Sequence, residues 1–128
     1  LTSGGTGVAP TFQTAASGGA DTSLSNLTST GKQLTPLSWI SLDGIGTIAI
    51  HDSYNISSVS DISTGQWDYY FSSAPSNANY AVTTAGQNDN SFVTIRSKTT
   101  SFYKTTAVNA SGYLIDVDSV DSISFGDH

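Results

Sequence analysis

The chain has 128 residues, a formal net charge of −6, and neither cysteine nor methionine. Clustered Lys and Arg are needed to hold phosphates, so four cations against ten Asp argue against nucleic acid and against an anionic membrane surface as partners. The absence of cysteine excludes a disulfide framework and a thiolate metal site. No apolar run in the sequence is long enough to span a membrane, so no membrane insertion is predicted.

The composition favours strands and turns. Ser, Thr, Gly, Asn, Ile, Val and Tyr dominate, whereas the helix formers Glu and Met are absent. We therefore predict an all-β fold. The length allows one domain, which we place at residues 37–128 after an N-terminal segment of residues 1–36.

Residues 1–36 are rich in Gly, Ser and Thr and carry only two charged side chains, Asp21 and Lys32. Such a segment buries little apolar area and is expected to be extended or disordered when alone. It is either a flexible linker or a fibre shaft that winds around copies of itself. In the second case its apolar residues face a shared axis: Val8, Phe12, Leu24, Leu27 and Leu34.

The first predicted unit of the domain is a β-hairpin. Residues 37–42 and 47–54 are β-branched and aromatic runs, and a connection that contains Gly44 and Gly46 separates them. Alternation predicts that Ile48 and Ile50 share the inner face of the second run.

Further strands are predicted at residues 56–62, 66–71, 79–84, 92–95 and 102–108. The last run, at 113–125, alternates as a half-buried strand with its apolar parity inward and a bulge near Ser119. The apolar parity contains Tyr113, Ile115, Val117, Ile123 and Phe125, and the other contains Asp116, Asp118, Ser122 and Ser124. About eight short strands predict a small antiparallel, jelly-roll-like β-sandwich. The predicted core consists of Trp39, Ile48, Ile50, Trp67, Phe71, Tyr80, Ile115 and Val117.

No catalytic group or metal site is predicted. His51 and Asp52 are adjacent on a strand and point to opposite faces, so they do not form an acid–base pair. Asp116 and Asp118 share a face and offer oxygen ligands for Ca²⁺ together with Asp121 or Asp89, but the spacing is not that of an EF-hand. We interpret them as a solvated strand face. A ring of His51 side chains around a threefold axis is a remote alternative.

Several segments resemble the C-terminal domain of bacteriophage tail-fibre proteins. Trp39–Val59, with the sequence WISLDGIGTIAIHDSYNISSV, is similar to the family's pattern at the start of that domain. Ala74–Val82 and Asp116–Gly126 resemble two later elements. Residues 1–13 and 26–32 resemble segments that recur upstream of fibre tips. His51 stands where the family often has Arg.

The resemblance implies a homotrimeric domain at the end of a phage tail fibre, located in the virion. Its partners would be other tail proteins and a bacterial surface glycan or protein, and it would have no enzymatic activity and no cofactor. The segment 83–112 lies outside the family pattern, and variable receptor-binding loops are expected in such a segment.

For glycan binding, exposed aromatic faces stack on sugars and amide or carboxylate groups bond to hydroxyls. The predicted receptor-binding residues are therefore Gln87, Asn88, Asp89, Asn90, Tyr103 and Lys104. Core packing is the alternative role of Tyr103. Two other functions stay open: a purely structural virion protein, such as a fibre-base, collar or decoration subunit, and, less favoured, a polysaccharide depolymerase.

Overall fold

The computed structural model describes residues 35–88 and 90–127. The predicted axis residues Phe12, Leu24, Leu27 and Leu34 lie outside this part. The described residues form eight strands and no helix. This part of the chain therefore has no helix that is long and apolar enough to cross a membrane. The strands are β1 (Ser38–Asp43), β2 (Ala49–Tyr54), β3 (Ile56–Ser63), β4 (Gln66–Phe71), β5 (Ala81–Gln87), β6 (Ser91–Lys98), β7 (Phe102–Asn109) and β8 (Ser119–Phe125).

The strands form two four-stranded antiparallel sheets, which confirms the all-β sandwich. The first sheet has the order β2-β1-β8-β5 and the second sheet has the order β3-β4-β7-β6. The chain passes between the sheets at both edges. Asn55 makes one passage, from β2 to β3, with a φ of 56°. At the other edge the Thr84 hydroxyl donates to the Val93 carbonyl at 2.9 Å and ties β5 to β6.

The predicted hairpin is confirmed as the pair β1–β2. Its turn contains Gly46 at a φ of 67°, a conformation that glycine adopts without steric cost. The prediction that Ile50 belongs to the core is wrong, because β2 is an edge strand and leaves this side chain 41% exposed. Ile48, just before β2, packs partly buried against the core. Trp39 lies outside the core cluster, on the outer face of the first sheet.

Aromatic rings from the second sheet fill the core. Trp67, Tyr69 and Phe71 alternate along β4 and are all buried. Tyr69 stacks on Tyr103 of β7 with ring centroids 4.8 Å apart, and Phe71 meets Tyr80 edge-on at 5.4 Å. Four residues of the predicted core list are buried: Trp67, Phe71, Tyr80 and Val117. Ile115 is partly buried and packs against the core cluster.

The first sheet contributes serine hydroxyls to the core that these rings fill. The Tyr103 hydroxyl lies 2.8 Å from Ser122 Oγ, and Ser38 Oγ lies 2.7 Å from Ser124 Oγ. The predicted parity of the last run is therefore wrong along β8: the two serines point inward, while Ile123 is only half-buried and Phe125 is exposed. A buried phenol needs a hydrogen-bond partner, and these serines place hydroxyls in the core.

The sandwich has two distinct ends. At the proximal end the chain enters β1 at Ser38 and leaves β8 at Phe125, next to Ala81 at the start of β5. At the distal end lies Gln87, which pairs with Ser119. Seven residues of extended chain separate the two ends along β5, a span of roughly 20 Å.

Candidate functional site

The predicted receptor-binding loop lies at the distal end. Gln87 at the end of β5 and Asn88 and Asn90 in the connection to β6 are exposed there, while Asp89 is outside the described residues. The Ser91 hydroxyl donates to the Asn88 carbonyl at 3.0 Å, and Asn90 has a φ of 60°. The connection is thus a tight turn that presents its carboxamide groups to solvent.

The other two predicted receptor residues do not join this loop. The prediction for Tyr103 as a receptor contact is wrong, because its side chain is fully buried beneath Tyr69 and its hydroxyl is used by Ser122. Lys104 lies on the outer face of the second sheet, where its Nζ is 2.9 Å from Asp68 Oδ2. Its position pairs with Ser97, near the opposite end of β6 from the loop.

The two most exposed aromatic side chains of the described residues lie at the same end of the sandwich as the loop. Phe92 is 58% exposed and Tyr113 is 72% exposed. Phe92 pairs with Val108 across β6 and β7, and Leu114 forms a bridge to Val108 from the other side. We call these four residues the distal patch. Burial against the core explains neither aromatic ring, so both are available to a ligand.

The turn that carries Tyr113 is held by Asn109. The Asn109 carboxamide oxygen accepts from the backbone N–H groups of Ser111 and Tyr113, both at 3.0 Å. The Asn109 N–H donates to the Tyr113 carbonyl, and the Gly112 N–H donates to the Asn109 carbonyl, each at 2.9 Å. Gly112 has a φ of 82°, which favours glycine. An exposed aromatic ring is therefore presented on an ordered turn.

After this turn the chain doubles back along β7 before it crosses to the first sheet. The Ile115 N–H donates to the Ala107 carbonyl at 3.2 Å. The Gly65 N–H donates to Asp116 Oδ1 at 2.7 Å. The first part of the predicted last run is therefore an irregular segment that is bonded to β7 and to the β3–β4 turn, and β8 begins only at Ser119. Tyr113 consequently faces solvent rather than the core.

The hydrogen bond from the Gly65 N–H also gives Asp116 a structural role. Its carboxylate holds the β3–β4 turn at Gly65, where an added Cβ would lie 2.6 Å from the Ile115 carbonyl oxygen. Within residues 35–88 and 90–127, no three His or Asp side chains lie close enough together to hold a metal ion. His51 sits exposed on the edge strand β2.

The distal end combines the groups that bind sugars. The rings of Phe92 and Tyr113 offer faces for the C–H side of a pyranose, and the neighbouring carboxamides of Asn88 and Asn90 offer donors and acceptors for hydroxyls. Sequence reasoning found the carboxamides but missed both rings, because each lies in a run that alternates like a strand. The signal for Tyr113 was its position directly after the turn sequence Asn-Ala-Ser-Gly.

No family model matches this chain, and no curated protein or solved structure matches it. The fold by itself carries no function, because β-sandwiches serve many unrelated activities.

Proposed function

We propose that this chain contains the receptor-binding tip domain of a homotrimeric phage tail fibre and that it attaches the virion to a glycan on the bacterial surface. One observation carries the proposal: Phe92 and Tyr113, exposed and unexplained by folding, sit beside the carboxamide loop at the end remote from the chain's entrance. Attachment is a binding function, and it requires no catalytic group.

The position of the distal patch supports a tip. Residues 1–34 precede Thr35 and therefore join the domain at its proximal end, where β1 begins. A domain that is attached to a fibre at this end directs its distal end outward. The roughly 20 Å length of the strands then separates the attachment point from the proposed receptor contacts.

The exposure of the two rings supports binding over packing. Large apolar side chains that folding leaves exposed near polar groups are typical of interaction sites. The hydrogen bonds of Asn109 hold Tyr113 in place before any ligand arrives, and a pre-ordered side chain loses less conformational entropy on binding. A single sugar site of this kind is weak, and three copies in one fibre would strengthen attachment by avidity.

The test measures attachment of the labelled 128-residue chain to bacterial cells and to immobilised surface polysaccharides. We expect Tyr113→Ala and Phe92→Ala each to weaken attachment by about tenfold, since the stacking of one aromatic ring on a sugar contributes on the order of 1–1.5 kcal/mol. Phe125→Ala is the matched control, because Phe125 is 39% exposed at the proximal end. Unchanged attachment by both distal variants would refute the proposal.

A second candidate is a structural virion subunit, and the outer face of the first sheet favours it. Trp39 pairs with Tyr54 on one side and with Ile123 on the other, which gives an apolar row open to a neighbouring subunit. Light scattering decides the oligomer: a trimer that attaches to no cell or polysaccharide would support this candidate. Clearing of a polysaccharide by the purified chain would instead indicate a depolymerase.

A further inference from the structure

The outer face of the second sheet contains a groove that the distal patch does not include. It encloses about 400 Å³, within the size range of small-ligand sites. Its lining is more polar than apolar, in contrast to the distal patch. We call it the outer groove and define it by Ile62, Gln66, Asp68, Arg96, Ser97 and Lys104.

Two β-bulges shape the walls of the outer groove. In β6 the register shifts between Ile95 and Ser97, so Arg96 is the extra residue. In β3 the register shifts between Asp61 and Ser63, so Ile62 is the extra residue there. Both strands lie at the edges of the sheet. Bulges redirect side chains and are frequent next to binding sites, and these two place one wall residue on each side of β4 and β7.

The floor of the outer groove contains a carboxylate, Asp68, whose charge is compensated by an ion pair. The side chain of Asp68 is only 8% exposed, and its carboxylate lies 2.9 Å from Lys104 Nζ. A buried carboxylate requires such a partner, because an unpaired charge is costly to bury. Asp68 therefore adds little net negative charge to the groove, and its oxygens remain hydrogen-bond acceptors.

Arg96 has no such acid. Its Nη1 donates to the neutral Gln66 Oε1 at 3.1 Å, and no carboxylate within residues 35–88 and 90–127 forms an ion pair with it. The outer groove thus has a local charge of about +1 in a chain of net charge −6. Charges further away than roughly 10 Å are largely screened at physiological salt, so the charges of the lining count for more than the net charge of the whole chain.

The Arg96–Gln66 hydrogen bond also spans β7, because β7 lies between β6 and β4. Thr106 pairs with Gln66 at this level, and its buried hydroxyl has no hydrogen-bond partner among the described residues. A ligand that replaces Gln66 on Arg96 would gain a charge-assisted, bidentate contact in exchange for a neutral one.

An aromatic pair extends the same face toward the proximal end. The rings of Tyr70 and Phe102 lie 5.4 Å apart, and Lys104 Nζ sits 5.1 Å from the Phe102 ring centroid. The groove therefore offers a cation, hydroxyl-binding groups and an adjoining apolar surface. This combination is complementary to a sugar that carries an acidic substituent.

We propose that the outer groove binds the anionic group of an acidic saccharide, with Arg96 as its direct ligand and the Asp68–Lys104 pair bonding to ring hydroxyls. The inference deepens the proposed function and rests on it, since a saccharide receptor is assumed. A carboxylate or a phosphate group on the sugar would engage Arg96 in the same way, so the experiment separates these two sources.

The experiment measures binding by isothermal titration calorimetry on the 128-residue chain. The probes are digalacturonate, the uncharged digalactose, and inorganic phosphate. We expect digalacturonate to bind at least about tenfold more tightly than digalactose at low salt, and this preference to shrink at high salt. Arg96→Gln removes the preference, whereas Lys98→Gln, which deletes a cation from the same strand outside the groove, retains it. Thermal unfolding verifies that both variants fold.

Each outcome has one meaning. A preference that is lost in Arg96→Gln supports the anion site; tighter binding of digalacturonate than of inorganic phosphate then favours a carboxylated sugar, and tighter binding of phosphate favours a phosphorylated one. Equal binding of the two disaccharides, or an unaltered preference in Arg96→Gln, overturns the inference. If cells are still attached in that case, the proposed function stands. If the anion binds but Tyr113→Ala and Phe92→Ala leave attachment unchanged, the proposed function fails and the anion site stands.

Discussion

The two ends of the sandwich use aromatic residues in opposite ways. At the proximal end Tyr80 is 1% exposed, its ring meets Phe71, and its hydroxyl donates to the Thr99 carbonyl at 2.9 Å. At the distal end Tyr113 is 72% exposed and its ring contacts no other aromatic ring within the described residues. Tyrosine is therefore a packed core residue at the proximal end and an exposed residue at the distal end.

Asparagine side chains show the same division. At the proximal end the Asn55 carboxamide donates to the carbonyls of Leu37 and Ser73 at 3.0 Å and accepts from the Ser73 N–H at 2.7 Å. It therefore ties three distant segments together. At the distal end Asn109 bonds only within its own turn. The Asn55 side chain thus joins distant segments at the proximal end, whereas the Asn109 side chain orders only the turn that carries Tyr113.

The largest predicted effect compares the loss of a buried proximal ring with the loss of an exposed distal ring. Tyr80→Ala removes a buried ring from the proximal end, and we expect the free energy of unfolding to fall by about 3–5 kcal/mol, as for other buried aromatic truncations. Chemical denaturation measures the loss. Tyr113→Ala is the matched control and should change stability by no more than about 0.5 kcal/mol. Similar losses in the two variants would contradict the division between the ends.

A smaller effect is expected at alkaline pH, because the aromatic core holds its phenols neutral. Desolvation by burial raises the pKa of Tyr103 from 10.0 to about 12, against the opposing effect of its hydrogen bond to Ser122. Burial raises the pKa of Tyr80 similarly, to about 12. In the unfolded chain these phenols ionise near their ordinary value, so the folded state loses relative stability once the pH exceeds it.

The direction of this dependence follows from linkage. The stability that a raised tyrosine pKa contributes is fully present below pH 10 and is lost as the pH rises toward 12. For Tyr103 alone the loss amounts to about 2–3 kcal/mol across this window. Denaturant titrations at several pH values measure it, and Tyr103→Phe should flatten the slope. A slope of the same size in Tyr103→Phe would assign the effect to other groups.

The fold was predictable from the sequence because strand composition and turn spacing are local signals. The hairpin of β1 and β2 follows from two β-branched runs around Gly44 and Gly46, and it forms as predicted. Burial was harder to predict, because it depends on which strands lie at an edge. Ile50 alternates like a core residue, but no opposing strand covers it.

The candidate site was predictable only in part for the same reason. Carboxamides in a turn sequence can be recognised locally, and Asn88 and Asn90 are exposed in their turn. Whether an aromatic ring is a core residue or a binding residue depends on tertiary contacts. Tyr103 looked available and is buried, whereas Tyr113 looked buried and is exposed. The inward serines of β8 escaped prediction because their partner, the Tyr103 hydroxyl, lies on the other sheet.

The smallest predicted effect on stability asks whether the distal loops are ordered for binding. Asn109→Ala removes two side-chain hydrogen bonds from the turn that holds Tyr113, and we expect a loss of about 1 kcal/mol in the free energy of unfolding. Because the ring then samples more conformations, attachment to cells should weaken by more than this loss of stability alone explains.

Asn77→Ala is the matched control for this prediction. Asn77 Oδ1 accepts from the Asn79 N–H at 2.8 Å in a comparable turn at the proximal end. Its loss should cost a similar amount of stability and leave attachment unchanged, because it lies remote from Phe92 and Tyr113. Equal attachment by the two variants would mean that Tyr113 acts without the order that Asn109 provides. Weaker attachment by Asn109→Ala alone would link the local hydrogen bonds of the distal end directly to recognition, and would separate order for binding from order for folding.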